Sequence, residues 1–581
     1  MKKREIDHKE LRDGPLRDRS CTDILCCLFF FAFLGAMCSL GYYGYLHGDP
    51  YAVIYPYDSA GNQCGRPDTP TSSYPYIYFI TPFAKGSTKW KACIKDCPKS
   101  SLSTVECYTT KWVTGCEFTV NGTHYDPIAS TPMFSRLCMP TAYNEGFSTF
   151  IGNEDMMSAG SDIIRTRYII LAVLGVSLVV SILYLLMLRY LVGLLVWIVL
   201  LAMIVMISGF GGYYTYKLYD EKDPITSDTL KYQYWGISIA CYIVAFFLVL
   251  LTYCLRKSIE LAVAIMKSAT VFMDDLFSII LVPIVLFLVS TVVYILWIAA
   301  IIYLYSSGTL VIDDTANVIA KFSHDTSLKN ALYFEILGIL WINSFKIALL
   351  QYIVSFACCV WYFSENKETL DSPICRGVKT GLFYHIGSLA FGSFLLSLVI
   401  LFKWVLVLLS KINPAARENE IIGFCCKCVI CFVQCLERFV KFLDHQAYIR
   451  IALTGEGFCS AAQSAFEIML GNAGRFSALG GIGYIFNFLG KAAITVASTW
   501  TGFYYITNVG EIKDSIFSPL GPVIAFAIAS YLVAALFMGV YETAADTIIQ
   551  AFILDEEIHG KGCSVFAPEP IKEFIKEYEN E

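Results

Sequence analysis

Charged residues are scarce in this sequence. Asp, Glu, Lys and Arg make up 16% of its 581 residues, whereas hydrophobic residues make up 56%. Soluble domains carry about 25% charged and about 45–50% apolar residues, and the mean hydropathy of this chain is positive, at +0.57. This composition excludes an ordinary water-soluble protein. The net charge of −6 indicates no partner, and we expect no nucleic-acid binding.

The sequence also lacks the short motifs of common catalytic sites. It has no Gly-x-Ser-x-Gly turn, no phosphate-binding loop that ends in Lys and Ser or Thr, and no His-Glu-x-x-His motif. The glycines of Gly480-Gly481-x-Gly483 open an apolar segment, where small residues let membrane helices approach closely. We therefore predict that the chain is not an enzyme and that it has no cofactor and no metal site.

Long apolar runs are abundant. About 20 helical residues are needed to cross about 30 Å of hydrocarbon, and runs of this length recur along the chain. They predict an all-α polytopic membrane protein with about ten transmembrane helices, at 24–46, 166–188, 191–214, 234–254, 276–306, 331–363, 381–410, 419–441, 478–506 and 518–541. The segment 419–441 carries Lys427, Glu437 and Arg438, so a position in the membrane interface is its alternative.

Positive charges predict the orientation of these helices. The loops after the second, fourth and sixth helices carry Lys and Arg, and such loops stay in the cytosol. The predicted domains are therefore a cytosolic tail at 1–23, a first helix at 24–46, an extracellular segment at 47–165, a helical bundle at 166–542 and a cytosolic tail at 543–581. Within the bundle, 255–275 is predicted to be an amphipathic helix on the cytosolic face, with a linker as the alternative.

The segment 47–165 is predicted to be a disulfide-rich extracellular domain. It has many Pro, Gly, Ser, Thr and Tyr residues and no long apolar run, so it lacks a large core. Its six cysteines predict disulfides with an open pairing: Cys64, Cys93, Cys97, Cys107, Cys116 and Cys138. A zinc site is the alternative, but no paired His follows at ligand spacing. The sequon at Asn121 predicts glycosylation.

Ionisable residues inside predicted helices are few, and each is a candidate for function because charge is costly in a membrane. Glu335 and Lys346 share one face of the sixth helix but stand about 16 Å apart. His385 is the one histidine of seven inside a predicted helix, and imidazole titrates near physiological pH. His385 and Glu335 are thus proton-coupling candidates; a structural hydrogen bond is the alternative for His385. We expect Glu542 and Asp546 to lie at the membrane boundary.

Aromatic residues make up 15% of the chain, and most must face lipid or pack between helices. A quaternary ammonium ion would need a few of these rings turned inward, because Trp and Tyr faces attract such a cation. Trp297 and Trp341 are candidates for this role. Asn343 and Gln351 are candidates to hydrogen-bond a ligand hydroxyl.

Several motifs, spread over most of the chain, carry a resemblance to a known family. They are RSCTDILCCLFF at 19–30, GDPYAVIYPYDSAGNQCG at 48–65, Cys93-x3-Cys97-Pro98, GILWINSFKIALLQ at 338–351, YHIGSLAFGS at 384–393, KFLDHQAYI at 441–449 and ADTIIQAFILDEE at 545–557. In this order they resemble the choline transporter-like family, solute carrier family 44. Trp341, Gln351 and His385 stand at matching positions, whereas Glu335 and Lys346 fall outside the shared pattern.

The resemblance implies a secondary active transporter of choline, and in some members ethanolamine, that exchanges its substrate for protons. It also implies ten spans, cytosolic termini and a disulfide-bonded, glycosylated first outer loop. Members serve the plasma membrane, and some an organelle such as the mitochondrion, where they supply phospholipid synthesis. Two alternatives stay open: a membrane receptor or scaffold that uses the outer cysteine-rich domain, and a membrane-embedded enzyme of lipid synthesis.

Overall fold

The computed structural model describes the chain with gaps. The described residues are 15, 19–80, 91–100, 105–108, 119–120, 123–124, 126–133, 136–140, 166–219, 228–311, 321–365, 372–412, 420–508, 519–560 and 564–579.

Helices make up most of the described chain. The first part contains α1 (Ile24–His47), α2 (Tyr51–Ile54), α3 (Arg167–Tyr219), α4 (Asp228–Cys254), α5 (Arg256–Asp275), a 3-10 turn (Phe277–Ile280) and α6 (Leu281–Ser306). The second part contains α7 (Thr326–Tyr362), α8 (Pro373–Phe383), α9 (Ile386–Ile412), α10 (Glu420–Thr454), α11 (Phe458–Gly471), α12 (Ala473–Asn508), α13 (Leu520–His559) and α14 (Glu569–Glu579).

Nine segments of the described residues are long and apolar enough to cross a membrane. They lie in α1, twice in α3, and in α4, α6, α7, α9, α12 and α13. Each coincides with a predicted span, which confirms the all-α polytopic membrane fold. The predicted break after the second span is absent, since α3 continues through it. The residues around Arg189 include no Pro that would interrupt the helical hydrogen bonds, and Gly193, four residues further on, keeps its backbone donor and lies within the helix.

Helix α10 contains the eighth predicted span, 419–441, and is not among these nine segments. It continues to Thr454, for 35 residues in all. Its Glu437 forms a salt bridge of 2.5 Å with Lys403 of α9. Pairing lowers the cost of a charge away from water, so this salt bridge explains how a charged helix packs against α9. The membrane crossing of α10 stays a prediction.

The largest buried core lies where the second halves of α7, α10 and α13 meet α5 and α14. Helices α7 and α13 have 37 and 40 residues, more than one membrane crossing needs. Large apolar side chains fill this core, such as Phe272, Trp361 and Phe552. The indole of Trp361 donates a hydrogen bond of 2.9 Å to the carboxylate of Asp275. The predicted helix at 255–275 is α5, whose location on the cytosolic face stays a prediction.

A small sheet organises the segment between α1 and α3. Its strand order is β2-β1-β6-β5, from β1 (Tyr76–Phe79), β2 (Lys91–Ile94), β5 (Ser130–Met133) and β6 (Leu137–Pro140). Strand β1 is antiparallel to β2 and parallel to β6. Two hairpins are formed by β3 (Thr119–Val120) with β4 (Thr123–His124), and by β7 (Thr309–Val311) with β8 (Lys321–Ser323). The sequence did not predict these strands.

Disulfides cross-link the segment between α1 and α3, as predicted; we call it the outer segment after its predicted location. Cys64 pairs with Cys93, and Cys97 pairs with Cys138. Cys107 is also disulfide-bonded. Cys93 and Cys97, the residues of the zinc alternative, are thus bound to two different partners. Cys116 and the predicted glycosylation site Asn121 lie outside the described residues.

Candidate functional site

An aromatic cluster surrounds Trp341 of α7, which is only 1% exposed. The centroid of its ring lies 5.0 Å from that of Phe30, 4.9 Å from that of Phe33 and 4.6 Å from that of Phe394. Its indole nitrogen donates a hydrogen bond of 3.0 Å to the carbonyl of Ala390 in α9. The aromatic cluster therefore joins α1, α7 and α9, and Phe29 of α1 completes it.

The spacing of residues in α1 explains how the cluster forms. Phe30, Phe33 and Met37 recur at helical spacing and are the buried apolar residues on one face of α1. Opposite them, α7 carries Gly338, where any Cβ would overlap the side chain of Met37. This glycine lets α1 approach α7 closely enough for the phenylalanine rings to reach Trp341.

Two predicted residues lie beside this cluster. Trp297 of α6 packs against it and donates a hydrogen bond of 3.3 Å to the backbone carbonyl of Glu335. The Glu335 side chain is buried, and its Oε1 has no hydrogen-bond partner in the described structure. A buried carboxylate oxygen without a partner is costly, and a bound cation would offset that cost. The structure thus brings Trp297, Trp341 and Glu335 to one place.

The predicted hydroxyl-binding residues are less close to the aromatic cluster. The side-chain oxygen of Asn343 accepts a hydrogen bond of 2.7 Å from Tyr294 of α6, which leaves its amide group as a donor for a ligand. Gln351 is half-buried and follows Trp341 by ten residues, about 15 Å along a helix. Lys346 lies over the ring of Tyr294, at 5.6 Å from its centroid.

A second group of contacts involves Arg19, which precedes α1. Its guanidinium lies 3.2 Å from the hydroxyl of Tyr352 and 3.2 Å from Nε2 of His385. It also donates to the backbone carbonyls of Ile451, at 3.0 Å, and Ala452. These carbonyls lie in the last turn of α10, where carbonyl groups lose their helical partners, although that of Ile451 also accepts from the amide of Gly455 at 2.9 Å. Arg19 thus ties α7, α10 and the start of α9 together.

The next residues continue these contacts. The hydroxyl of Thr22 lies 2.9 Å from Nδ1 of His385 and 2.7 Å from the hydroxyl of Ser388. The carboxylate of Asp23 accepts hydrogen bonds from Ser388, at 2.6 Å, and from the backbone amide of Phe458, at 2.9 Å. We call residues 19–23 the N-terminal latch. The N-terminal latch bridges α7, α9, α10 and α11 and leads directly into α1.

His385 lies at the centre of the N-terminal latch contacts and is fully buried. It was predicted inside the span 381–410, but α8 ends at Phe383 and α9 begins at Ile386, so His385 occupies the break between them. Burial and the neighbouring Arg19 guanidinium lower the pKa of His385 to about 3. The imidazole is therefore neutral in this arrangement, and its proton-coupling role stays a prediction.

Polar residues also meet between α10 and α13, which the sequence did not predict. Nε2 of His445 lies 2.9 Å from the carboxylate of Asp546, and the amide of Gln446 donates to the same oxygen at 3.3 Å. The carboxylate of Asp546 faces α10, and its position at the membrane boundary stays a prediction. The signal in the sequence was that KFLDHQAYI and ADTIIQ contain His445 and Asp546 and are both part of the resemblance.

Known proteins have sequences similar to that of this chain. Residues 239–557, more than half of the chain, match the family model described as plasma-membrane choline transporter. The chain belongs to this family.

Relatives from several organisms cover nearly the whole chain. Choline transporter-like protein 4 of Xenopus laevis is 27% identical over 94% of this chain and 92% of its own length. Choline transporter-like protein 2 of Mus musculus is 26% identical with the same coverage, and choline transporter-like protein 2 of Dictyostelium discoideum is 26% identical over 95% of this chain and 94% of its own.

The family match covers some parts of the candidate site and not others. It includes Trp297, Trp341, His385, His445 and Asp546. The α1 phenylalanines and the N-terminal latch precede the matched residues.

Proposed function

We propose that this choline transporter is a secondary carrier in the plasma membrane that moves choline, and ethanolamine more weakly, in exchange for protons. It would supply an amine for phospholipid synthesis. The observation that carries the proposal is the aromatic cluster around Trp341, with the unpartnered carboxylate oxygen of Glu335 beside it.

The chemistry of this cluster suits a quaternary ammonium ion. Choline has a permanent positive charge with an apolar methyl surface, and aromatic faces attract such a cation by about 2 kcal/mol or more away from water. Trp341 and Trp297 provide indole rings from two helices. Glu335 provides a negative charge, and the free amide group of Asn343 can donate to the choline hydroxyl oxygen. Ethanolamine lacks the methyl groups and gains less from the rings.

The N-terminal latch explains how such a site would open to only one side at a time. Carriers alternate between two states around a central site. The N-terminal latch connects α10 and α11 through the contacts of Arg19 and Asp23, and we propose that these contacts close one end of the bundle. Because residues 19–23 lead into α1, release of the N-terminal latch would free the helix that carries Phe30 and Phe33. Opening and disassembly of the aromatic cluster would then be one movement.

Transport in a defined system tests this proposal. Purified protein in proteoliposomes should show saturable uptake of radiolabelled choline, faster with an imposed pH gradient of one sign and slower with the other. Excess unlabelled ethanolamine should inhibit it in part. Absence of uptake above that of empty vesicles, with correctly folded protein, would contradict the carrier proposal.

A further inference from the structure

A group of polar side chains from α10, α12 and α13 has no role in the choline site proposed above. It contains the His445–Asp546 pair, at 2.9 Å, and a hydrogen bond of 2.7 Å from the amide of Gln550 to the side-chain oxygen of Gln446. Asn487 of α12 donates to Glu542. We call these residues the polar cluster.

Several atoms of the polar cluster have unused hydrogen-bonding capacity. Nδ1 of His445, Oε1 of Gln550 and Oδ1 of Asn487 have no partner in the described structure. His445 is 9% exposed and Gln550 is 2% exposed. An unsatisfied buried polar atom costs free energy, and a neutral imidazole that donates through Nε2 to a carboxylate keeps Nδ1 as an acceptor. Nδ1 of His445 is therefore a buried acceptor without a donor in the described structure.

Charged groups of both signs lie around the pair. Glu542 of α13 interacts electrostatically with His445. It also interacts with Lys491 of α12 and Lys441 of α10. Among the described residues, no three His, Cys, Asp or Glu side chains lie close enough together to hold a metal ion, so a proton is the cation that suits this pair. From α10 itself, Asp444 interacts with Tyr448.

Helix α7 contributes a hydroxyl and a thiol at its contact with α13: Ser355 accepts a hydrogen bond of 3.1 Å from Thr547, and the thiol of Cys358 donates to the carbonyl of Ala544 at 3.8 Å.

We propose that the His445–Asp546 pair binds the proton that is exchanged for choline. The proton adds to Nδ1 of His445 and gives an imidazolium beside the Asp546 carboxylate; it leaves from the same atom when choline binds. This inference rests on the proposed function.

Helix α10 links this pair to the rest of the site. Ile451, whose carbonyl accepts a hydrogen bond from Arg19 of the N-terminal latch, follows His445 on α10 by six residues, about 9 Å along the helix. Between them, the Tyr448 hydroxyl lies where a side chain on Gly392 of α9 would stand. Gly392 is two residues from Ala390, which bonds Trp341. A shift of α10 on protonation would reach both the N-terminal latch and the aromatic cluster.

Choline binding to purified full-length protein at a series of pH values tests this proposal. If one proton is released per choline bound, the dissociation constant for choline should fall by up to about tenfold for each unit by which the pH rises, until the site is deprotonated. His445→Gln and Asp546→Asn should bind choline with a dissociation constant that no longer depends on pH. They should also retain choline–choline counterflow in vesicles, which needs no proton.

His559→Gln is the matched control, because His559 also pairs with an aspartate, Asp555, at 2.8 Å at the far end of α13. It should keep the pH dependence. His385→Gln distinguishes the two histidine hypotheses: loss of the pH dependence in this variant alone would assign the proton to His385 and overturn the proposal.

The remaining outcomes are equally distinct. Unchanged pH dependence in both His445→Gln and Asp546→Asn would overturn the site. Choline binding by the unaltered protein that does not depend on pH would contradict the exchange of choline for a proton. No choline binding by folded protein would contradict the proposed function itself.

Discussion

The aromatic cluster and the N-terminal latch share helix α7 but depend on different interactions. Trp341 is surrounded by rings from α1 and α9, with one hydrogen bond to a backbone carbonyl. Eleven residues further along, Tyr352 belongs to a network of hydrogen bonds around the charged groups of Arg19 and Asp23. Burial of rings is non-directional, whereas charge-assisted hydrogen bonds depend on geometry and on the ionisation of both partners.

This difference indicates a division of labour. When a cation enters the aromatic cluster, contacts between rings are replaced by contacts between a ring face and the cation. Such an exchange suits a binding site. A network of directional bonds is lost as a unit when one partner leaves, which suits a gate. Substitutions in the N-terminal latch should therefore change which state the protein adopts, whereas substitutions in the aromatic cluster should change affinity for the substrate.

Arg19→Ala should have the largest effect. Hydrogen bonds to a charged group contribute about 1.5–3 kcal/mol each, so the loss of several should open the N-terminal latch and reduce transport by about 100-fold. Cys359, a buried free thiol that interacts electrostatically with Arg19, should become reactive toward a maleimide.

Arg256→Ala is the control, because Arg256 lies in an exposed i,i+4 pair with Glu260. It should leave Cys359 protected. Equal protection of Cys359 in Arg19→Ala and in the unaltered protein would show that Arg19 does not hold this end closed.

Trp341→Ala should have the next largest effect, on the apparent affinity for choline. Loss of about 2 kcal/mol of cation–π attraction raises the concentration for half-maximal uptake about 30-fold. Trp500→Ala, at a Trp that is 65% exposed, should leave it unchanged. Uptake by both variants, normalised to the protein in the vesicles, gives the comparison; an unchanged half-maximal concentration in Trp341→Ala would remove this residue from the site.

Glu335→Gln should weaken choline affinity about tenfold, since a charge of a buried site is removed while its shape is kept. Glu467→Gln is the control, because Glu467 is exposed and hydrogen-bonded to Gln463. A neutral analogue of choline competing for uptake would sharpen this test, because its inhibition constant should be the same for Glu335→Gln and the unaltered protein.

The sequence predicted the membrane fold and part of the candidate site. Apolar runs of the right length predict spans directly, because the thickness of the bilayer fixes their length. Trp341 and His385 were identified from type and position, and both are fully or almost fully buried.

The partners of these residues could not be predicted, because they lie far away in the sequence. Arg19 and His385 are 366 residues apart, and hydrophobic periodicity contains no information on which faces meet. The buried face of α1 could not be predicted for another reason. Almost every residue of α1 is apolar, so its buried phenylalanines do not differ from its lipid-facing ones in type.

His385→Gln should have a smaller effect than the preceding substitutions: it should weaken the pH dependence of the free energy of unfolding. With a pKa of about 3 in the folded protein and about 6.5 in the unfolded chain, His385 binds more protons when unfolded between these values. The free energy of unfolding therefore falls as the pH falls from about 6.5 toward 3 and is unaffected above that range. The melting temperature of the unaltered protein should drop more than that of His385→Gln between pH 7.5 and pH 5.5.

Removal of the Cys64–Cys93 disulfide should have the smallest effect on transport. This bridge closes a loop of 29 residues in the outer segment, and such a cross-link contributes about 2–4 kcal/mol, mainly by restricting the unfolded chain. The Cys64→Ser, Cys93→Ser double variant should lose protease resistance in residues 47–80, while each surviving molecule keeps its choline affinity, because neither cysteine is among the hydrophobic residues that form or pack against the aromatic cluster. A large loss of affinity would mean that the outer segment and the aromatic cluster are coupled, and the division between binding site and gate would then have to include a third region.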